Sequence, residues 1–359
     1  MLTSTAEEMN PTRRNTMEDV HVIHPSGTWG APNPLASFIG VYDGHGGRLI
    51  VDYLEDYLHR NVAKEWVFEM KKREEDNCSN DSNDGGGGEK EGEGMKKRHL
   101  SDIYGSGNND NDSTDDDDEE DEGQSIRNSL ERAFLLTDIQ SRMAGLTTSG
   151  ATVVCTVIVP KVDNAGNCTE IGIHAANAGD ARAVLSSTVA HSASVATAAT
   201  TSGSGNAVRI THDHKATDET EIERIKSVGG NMIRNRVLGI MAVARSLGDH
   251  GLKEFVIAKP YLSSTVVKVK CNAVNDDDGS SKGGQQQTNN QITYTNGEFL
   301  IVACDGLWDV MEDDEAVDLV RGHVAKNGLA TRPEVASILV NEALERGSTD
   351  NITVVVSWL

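Results

Sequence analysis

The chain has 359 residues, with 33 Lys and Arg against 56 Asp and Glu, and its formal net charge of −23 argues against nucleic-acid binding through a basic face. Hydrophobic residues make up 37% and aromatics 4%; no run nears the ~18 apolar residues of a membrane span, and Met1-Leu2-Thr3-Ser4 opens no secretory signal. Five cysteines, odd in number and without Cys-x-x-Cys spacing, argue against a disulfide framework or structural zinc, so the expectation is a soluble protein of a reducing compartment, cytoplasmic and/or nuclear.

In chain order, Glu18-Asp19 leads into an apolar alternation, Val20-His21-Val22-Ile23, and Phe38 to Tyr42 reads as a strand. Leu49, Ile50, Tyr53, Leu54, Tyr57, Leu58 and Val62 recur at helical spacing. From Glu74 to Glu122 there are 19 acidic and 4 basic residues, a net of −15 that leaves −8 for the other 310. A segment this charged buries too little apolar surface to offset the entropy of ordering it, so 74–122 is predicted to be a disordered insert. Ile126, Leu130, Ala133 and Phe134 carry a second helix, followed by strands over Thr152–Val159, Ile171–Ala176 and Ala181–Leu185. A Ser/Ala/Thr/Gly stretch at 187–206 and an Asp- and Gln-rich one at 273–290 are predicted to be further disordered inserts. A strand over Phe299–Cys304, helices over Glu315–Val324 and Pro333–Gly347, and a last strand over Ile352–Trp358 complete the pattern. Without the three inserts 272 residues remain, enough for one large domain over 1–359. Strands come in adjacent sets with paired helices between them, which favours an α+β fold of antiparallel sheets with helices outside over a doubly wound parallel sheet.

The acids recur in one setting, an apolar strand that runs into an Asp-Gly turn: Asp43-Gly44 after Phe38–Tyr42, and Asp305-Gly306 after Phe299–Cys304. Asp180 follows Asn177-Ala178-Gly179 at a turn between strands, and Asp350 lies just before the final strand. Glycine lets a backbone carbonyl approach a ligand closely, and carboxylate, carbonyl and water are the ligands of hard ions such as Mg²⁺ or Mn²⁺. Each piece alone is ordinary: a lone Asp-Gly is a plain turn, Glu18-Asp19 a solvated pair, His45 a loop histidine and Arg14 an exposed cation. Their number and order argue otherwise.

Together these residues resemble the metal-dependent serine/threonine protein phosphatases of the protein phosphatase 2C type. The match runs through Arg14-Asn15-Thr16-Met17-Glu18-Asp19, Phe38 to Gly46 around Asp43-Gly44-His45, Ser149–Thr152, Asn177–Asp180, Met241–Asp249, Ala303–Gly306 with Trp308-Asp309, and Ser348–Asn351. It covers nearly the whole chain, with the inserts falling between motifs. The resemblance implies a four-layer sandwich, two packed antiparallel β-sheets flanked by pairs of α-helices, with a two-metal centre of Mg²⁺ or Mn²⁺ at one end. By motif, Asp43 bridges the two ions and Gly44 lends its carbonyl; Asp305 and Asp350 hold the first ion, and Glu18 and Asp19 act around the second. A weaker third ion takes Asp180, Asp305 and Asp309. Arg14 grips the substrate phosphate and His45 is the general acid.

Charge arithmetic agrees. Two divalent ions bring +4, the carboxylates of Glu18, Asp19, Asp43, Asp305 and Asp350 bring −5, and Arg14 takes the site to about zero, so a phosphate dianion can dock only with metal present. Two ions about 4 Å apart can share a water and aim it at phosphorus, and an alkoxide leaving group needs a proton that an imidazole suits. Cysteine-nucleophile chemistry needs Arg six residues after the Cys, and Asp84, Lys161, His174, Asp277 and Val310 stand there instead. The rival readings are a catalytically silent member acting as a binding or regulatory module, and a hydrolase of small phosphate esters. Expected partners are phosphorylated proteins, with no nucleic acid or membrane and a monomeric state.

Some positions depart from the pattern. Ala6–Pro11 is a poor copy of the strand that usually precedes the first motif, so that strand is expected to be short or partly missing. Ala216 follows His214-Lys215 where Pro is usual, and Ala181 follows Asp180 where Ser is common. Residues from about Asp213 to Pro260 match a helix and flap beside the active site. Ser113 and Thr114, before Asp115–Asp118, suit acidophilic kinases, and the acidic insert could dock basic partners. No regulatory domain is expected after Leu359.

Overall fold

The computed structural model describes residues 1–81, 117–186, 207–269 and 297–359. Two antiparallel sheets form its centre. The first takes the order β1 (Leu2–Glu8), β13 (Ile352–Trp358), β12 (Phe299–Ala303), β6 (Arg182–Ser186) and β7 (Ala207–Arg209). The second runs β11 (Tyr261–Lys268), β5 (Cys168–Ala178), β4 (Gly150–Val162), β3 (Ser37–His45) and β2 (Val20–His24), with β10 (Leu247–Gly248) attached to β4.

Period-two alternation builds the layers. Along β3, Ile39 and Val41 enter the core between the sheets, whereas Phe38 and Tyr42 face the helices on the other side. Along β12, Leu300 and Val302 point between the sheets and Phe299, Ile301 and Ala303 away from them. Helices α1 (Leu49–Asp81) and α2 (Asp117–Met143) cover the second sheet through Leu54, Leu58, Trp66, Ile126 and Phe134. On the first sheet, α5 (Asp313–Asn327) and α6 (Val335–Glu345) bury Val317, Val320, Leu339 and Val340. This is the four-layer sandwich that the resemblance implied. No helix among the described residues is long and apolar enough to cross a membrane.

Three expectations are corrected. The first strand is neither short nor partly missing: β1 pairs with β13 over its whole length, from Leu2 opposite Trp358 to Glu8 opposite Ile352. Backbone pairing and one buried hydroxyl make this strand rather than an apolar pattern; Ser4 Oγ donates to the Pro333 carbonyl (2.6 Å) and accepts from Ala336 N–H (3.1 Å). The insert placed at 74–122 is too wide, because α1 continues to Asp81 and α2 starts at Asp117. Glu74, Glu75, Glu119, Glu120 and Glu122 are good helix formers, and these turns extend helices already anchored by their apolar faces. Residues 82–116, with Ser113 and Thr114, and the stretches 187–206 and 273–290 lie outside the described residues. The predicted helix over Pro333–Gly347 begins later: Pro333 sits in a 3₁₀ turn, Leu329–Glu334, that precedes α6.

Between β7 and β11 the chain makes the expected flap. It carries α3 (Glu219–Ser227), capped by Asp218, and a small hairpin of β8 (Met232–Ile233) and β9 (Arg236–Val237). Ala216, Ile225, Val237, Ala244 and Val256 give it a core of its own, and the buried carboxylate of Glu221 joins Arg224 (2.7 Å) to Arg245 (2.5 Å).

Candidate metal centre and phosphate site

Strand ends deliver the acids to one edge of the sandwich. Asp43 lies on the same face of β3 as Ile39 and Val41, so it projects between the sheets where the apolar core stops. Asp305 opens the short helix α4 (Asp305–Trp308) directly after β12. Asp180 sits in the turn from β5 to β6, where Gly179 takes φ +113°, and Asp19 and Asp350 just precede β2 and β13. A Cβ at Gly44 would stand 2.5 Å from the Glu18 carbonyl oxygen and one at Gly306 2.0 Å from that of Asn351, so both Asp-Gly pairs need glycine to let the N-terminal loop and the β13 approach pack against them.

Electrostatics ties these acids together. Burial, then the charges of Asp305, Asp19, Asp180 and Asp350, push the Asp43 carboxyl far above the usual carboxylate range. Asp305 is likewise pushed far up, by burial and then by Asp180, Asp309, Asp350 and Asp19. Burial is the main cause at Asp19 and Asp180 too, each raised to about 6; nearby polar groups partly offset it at Asp19, and Lys215 does so at Asp180. Both carboxylate oxygens of Asp19 and Oδ1 of Asp180 are buried without a regular hydrogen-bond partner. Buried acids with orphaned oxygens and mutual repulsion call for a cation. An all-oxygen donor set fits Mg²⁺ or Mn²⁺, although among the described residues no three His, Cys, Asp or Glu side chains form a ready-made cage.

The remaining predicted residues have protein partners. Arg14, about half exposed, pairs through Nη2 with Asp350 and donates from Nε to the Thr349 carbonyl (3.2 Å). Glu18 stands beside the cluster but turns its carboxylate to Thr16 Oγ1 (3.0 Å) and Gly47 N–H (3.1 Å). Asp309 is exposed and held by the Lys215 ammonium at 2.8 Å. His45 donates from Nε2 to Asp249 Oδ2 at 2.8 Å.

Sequence reasoning missed several residues that build this site. Asn351 accepts Glu18 N–H (2.9 Å) and donates to the Met9 (2.9 Å) and Thr16 (3.0 Å) carbonyls, clamping the loop of Arg14, Glu18 and Asp19 to the start of β13. Arg48 donates to the carbonyls of Met17 (2.6 Å) and Asp19 (3.3 Å) from the other side. Asn351 and Asp249 stood within recognised motifs, yet nothing in their identity told what they would bond; Lys215 and Arg48 carried no signal beyond their charge.

Comparison with known proteins accords with this arrangement. A family model described as protein phosphatase 2C matches residues 75–272 and 286–352. The protein phosphatase 2C homolog 1 of Schizosaccharomyces pombe is 30% identical over 351 residues, 98% of this chain and 71% of its own length, so that likeness takes in the acids before residue 75. The homolog 1 of Saccharomyces cerevisiae is 32% identical over 247 residues, 66% of this chain and 70% of its own. Among solved structures, a serine-threonine phosphatase 2C from Toxoplasma gondii superposes with a TM-score of 0.61 at 16% identity, over 99% of this chain and 94% of that one. At that identity the superposition speaks for the fold alone. Family model, full-length relatives and fold agree, and the chain belongs to the protein phosphatase 2C family of serine/threonine phosphatases.

Proposed function

We propose that the chain hydrolyses phosphoserine and phosphothreonine in proteins at the edge where Asp19, Asp43, Asp180, Asp305 and Asp350 meet. The observation that carries this reading is the cluster itself: burial and mutual repulsion lift Asp19, Asp43, Asp180 and Asp305 above the ordinary carboxylate range, Asp19 and Asp180 carry orphaned oxygens, and their ionised forms call for a cation. Asp43, Gly44, Asp305 and Asp350, with Glu18 and Asp19, would hold two divalent ions; Asp180, Asp305 and Asp309 would hold a weaker third, where the Lys215 ammonium now neutralises Asp309. When bound, the ions supply positive charge for the phosphate and acidify a water for in-line attack on phosphorus.

The chain's own groups complete the chemistry. Arg14 keeps its guanidinium at the surface beside Asp350, where a phosphate dianion competes for the fork of N–H donors. Hydrolysis breaks the bond from phosphorus to the Ser or Thr oxygen, and His45 gives that oxygen its proton, a contribution of roughly 10²–10⁴-fold for a general acid. Phosphate release from a phosphothreonine peptide in Mn²⁺, Mg²⁺ or EDTA tests the reading, for the native chain and Asp305→Asn. Turnover that needs metal and collapses in the variant is expected; a folded, metal-loaded chain without turnover would favour the silent binding module.

A further inference from the structure

We propose that Asp249 is the positioning residue of His45: its carboxylate fixes the ring through Nε2–H and thereby makes Nδ1 the atom that hands the proton to the departing Ser or Thr oxygen. This rests on His45 acting as the acid and adds which nitrogen acts and what aims it. Nε2 lies 2.8 Å from Asp249 Oδ2, and among the described residues Nδ1 has no protein partner. The partner carboxylate is itself held. Ser246 Oγ donates to the same Oδ2 at 2.5 Å, and Asp249 N–H donates to the Ser149 carbonyl at 3.1 Å.

The backbone is bent to bring this carboxylate in. Asp249 has φ +47° and follows Gly248 at φ +79°, two successive left-handed residues of which only one is glycine. Opposite, a Cβ on Gly150 would fall 2.1 Å from Asp249 Oδ2, so the strand that pairs with His45 leaves a notch that the carboxylate fills. A residue with an unfavourable φ, a notch opposite it and a hydroxyl on its oxygen is a costly way to place a surface acid, and its carboxylate ends on the ring of His45. An acceptor on one imidazole nitrogen fixes the tautomer and leaves the other to do the chemistry, the division of labour seen wherever a carboxylate orients a histidine. In the step, Nδ1–H transfers to the leaving oxygen as its bond to phosphorus breaks, the ring stays bonded to Asp249 through Nε2–H, and solvent returns the proton to Nδ1.

Asp249→Asn tests this, because Asn tolerates the left-handed backbone and keeps the shape while losing the charge. Turnover is compared on a phosphothreonine peptide, whose alkoxide needs a proton, and on p-nitrophenyl phosphate, whose leaving group needs none. The expected result is a fall in kcat at least ~10-fold larger on the peptide, with KM little changed, approaching the selective loss of His45→Gln. Nitrogen-15 spectra of the metal-free protein supply an activity-independent readout: the His45 proton resides on Nε2 in the native chain and redistributes in Asp249→Asn. Equal losses on both substrates in Asp249→Asn, or an unchanged tautomer, would overturn the proposal. If His45→Gln itself shows no preference between substrates, the general-acid reading falls instead.

Discussion

Metal binding should expel protons, by an amount the site acids set. At pH 6, Asp19 and Asp180, each raised to about 6, hold about half a proton apiece in the metal-free chain, and the carboxyls of Asp43 and Asp305 are pushed in the same direction. Metal takes the ionised carboxylates, so filling the site at pH 6 releases about one proton from Asp19 and Asp180 together, plus whatever Asp43 and Asp305 hold. The apparent affinity then climbs with pH near 6, by about 1.4 kcal/mol per pH unit for each proton released, and flattens as the acids ionise unaided. The sign for folding is opposite: these raised acids favour the metal-free fold fully below the ordinary carboxylate range, and that support is lost as pH rises through about 6 and beyond. Titration calorimetry of Mg²⁺ or Mn²⁺ at pH 6 in buffers of different ionisation enthalpy reads the proton count directly. A binding enthalpy independent of buffer would refute the reasoning, because it would mean the acids are already ionised and the cluster is not the ion's seat.

Gly44→Ala forces a Cβ to within 2.5 Å of the Glu18 carbonyl oxygen and 2.9 Å of Val51 Cγ1; a loss of about 2 kcal/mol in urea unfolding and weaker metal binding are expected, and an unchanged midpoint would show that the loop yields freely. Asn351→Ala removes three hydrogen bonds to residues 9–18 and should cost about 2–4 kcal/mol, with faster amide exchange at Glu18 as its local mark. Arg182 is buried between Asp213 (2.5 Å) and Asp313 (2.6 Å), so Arg182→Ala leaves both carboxylates to Arg209 alone (3.7 and 2.8 Å) and should lower stability by about 2–3 kcal/mol in the same assay.

Sequence made the sandwich legible where apolar residues follow one another in short runs. Phe38–Tyr42, Thr152–Val159 and Ile352–Trp358 declare themselves because both their faces are buried against apolar layers. β1 escaped because Leu-Thr-Ser-Thr-Ala-Glu-Glu carries no such pattern; its pairing with β13 is a backbone property fixed by a partner some 350 residues away. The acids were legible as a motif series, and the structure gathers Asp19, Asp43, Asp180, Asp305 and Asp350 at one edge. What stayed hidden was the bonding of Arg14, His45 and Glu18, since a hydrogen-bond partner depends on where loops distant in sequence meet. Asn351 reaching Met9 and Asp249 reaching His45 are both of that kind.

The site and the fold pull in opposite directions, and the distribution of cations shows where they balance. The layers around Ile39, Val302 and Val355 are apolar and fully buried and need nothing from the acids at their edge. The acids, by contrast, raise one another and, among the described residues, leave both Asp19 oxygens without a regular hydrogen-bond partner, which costs stability when the acids are ionised and no cation is near. Where a basic side chain reaches the edge it is drawn in: Arg14 pairs with Asp350 and Lys215 with Asp309, both at exposed rims. Among the described residues no basic side chain pairs with Asp19 or Asp43, and there the demand for charge is left open. A chain selected for stability alone would have filled that centre with neutral residues; in the proposed function, keeping it acidic would make metal occupancy a stabilising event as well as a chemical one.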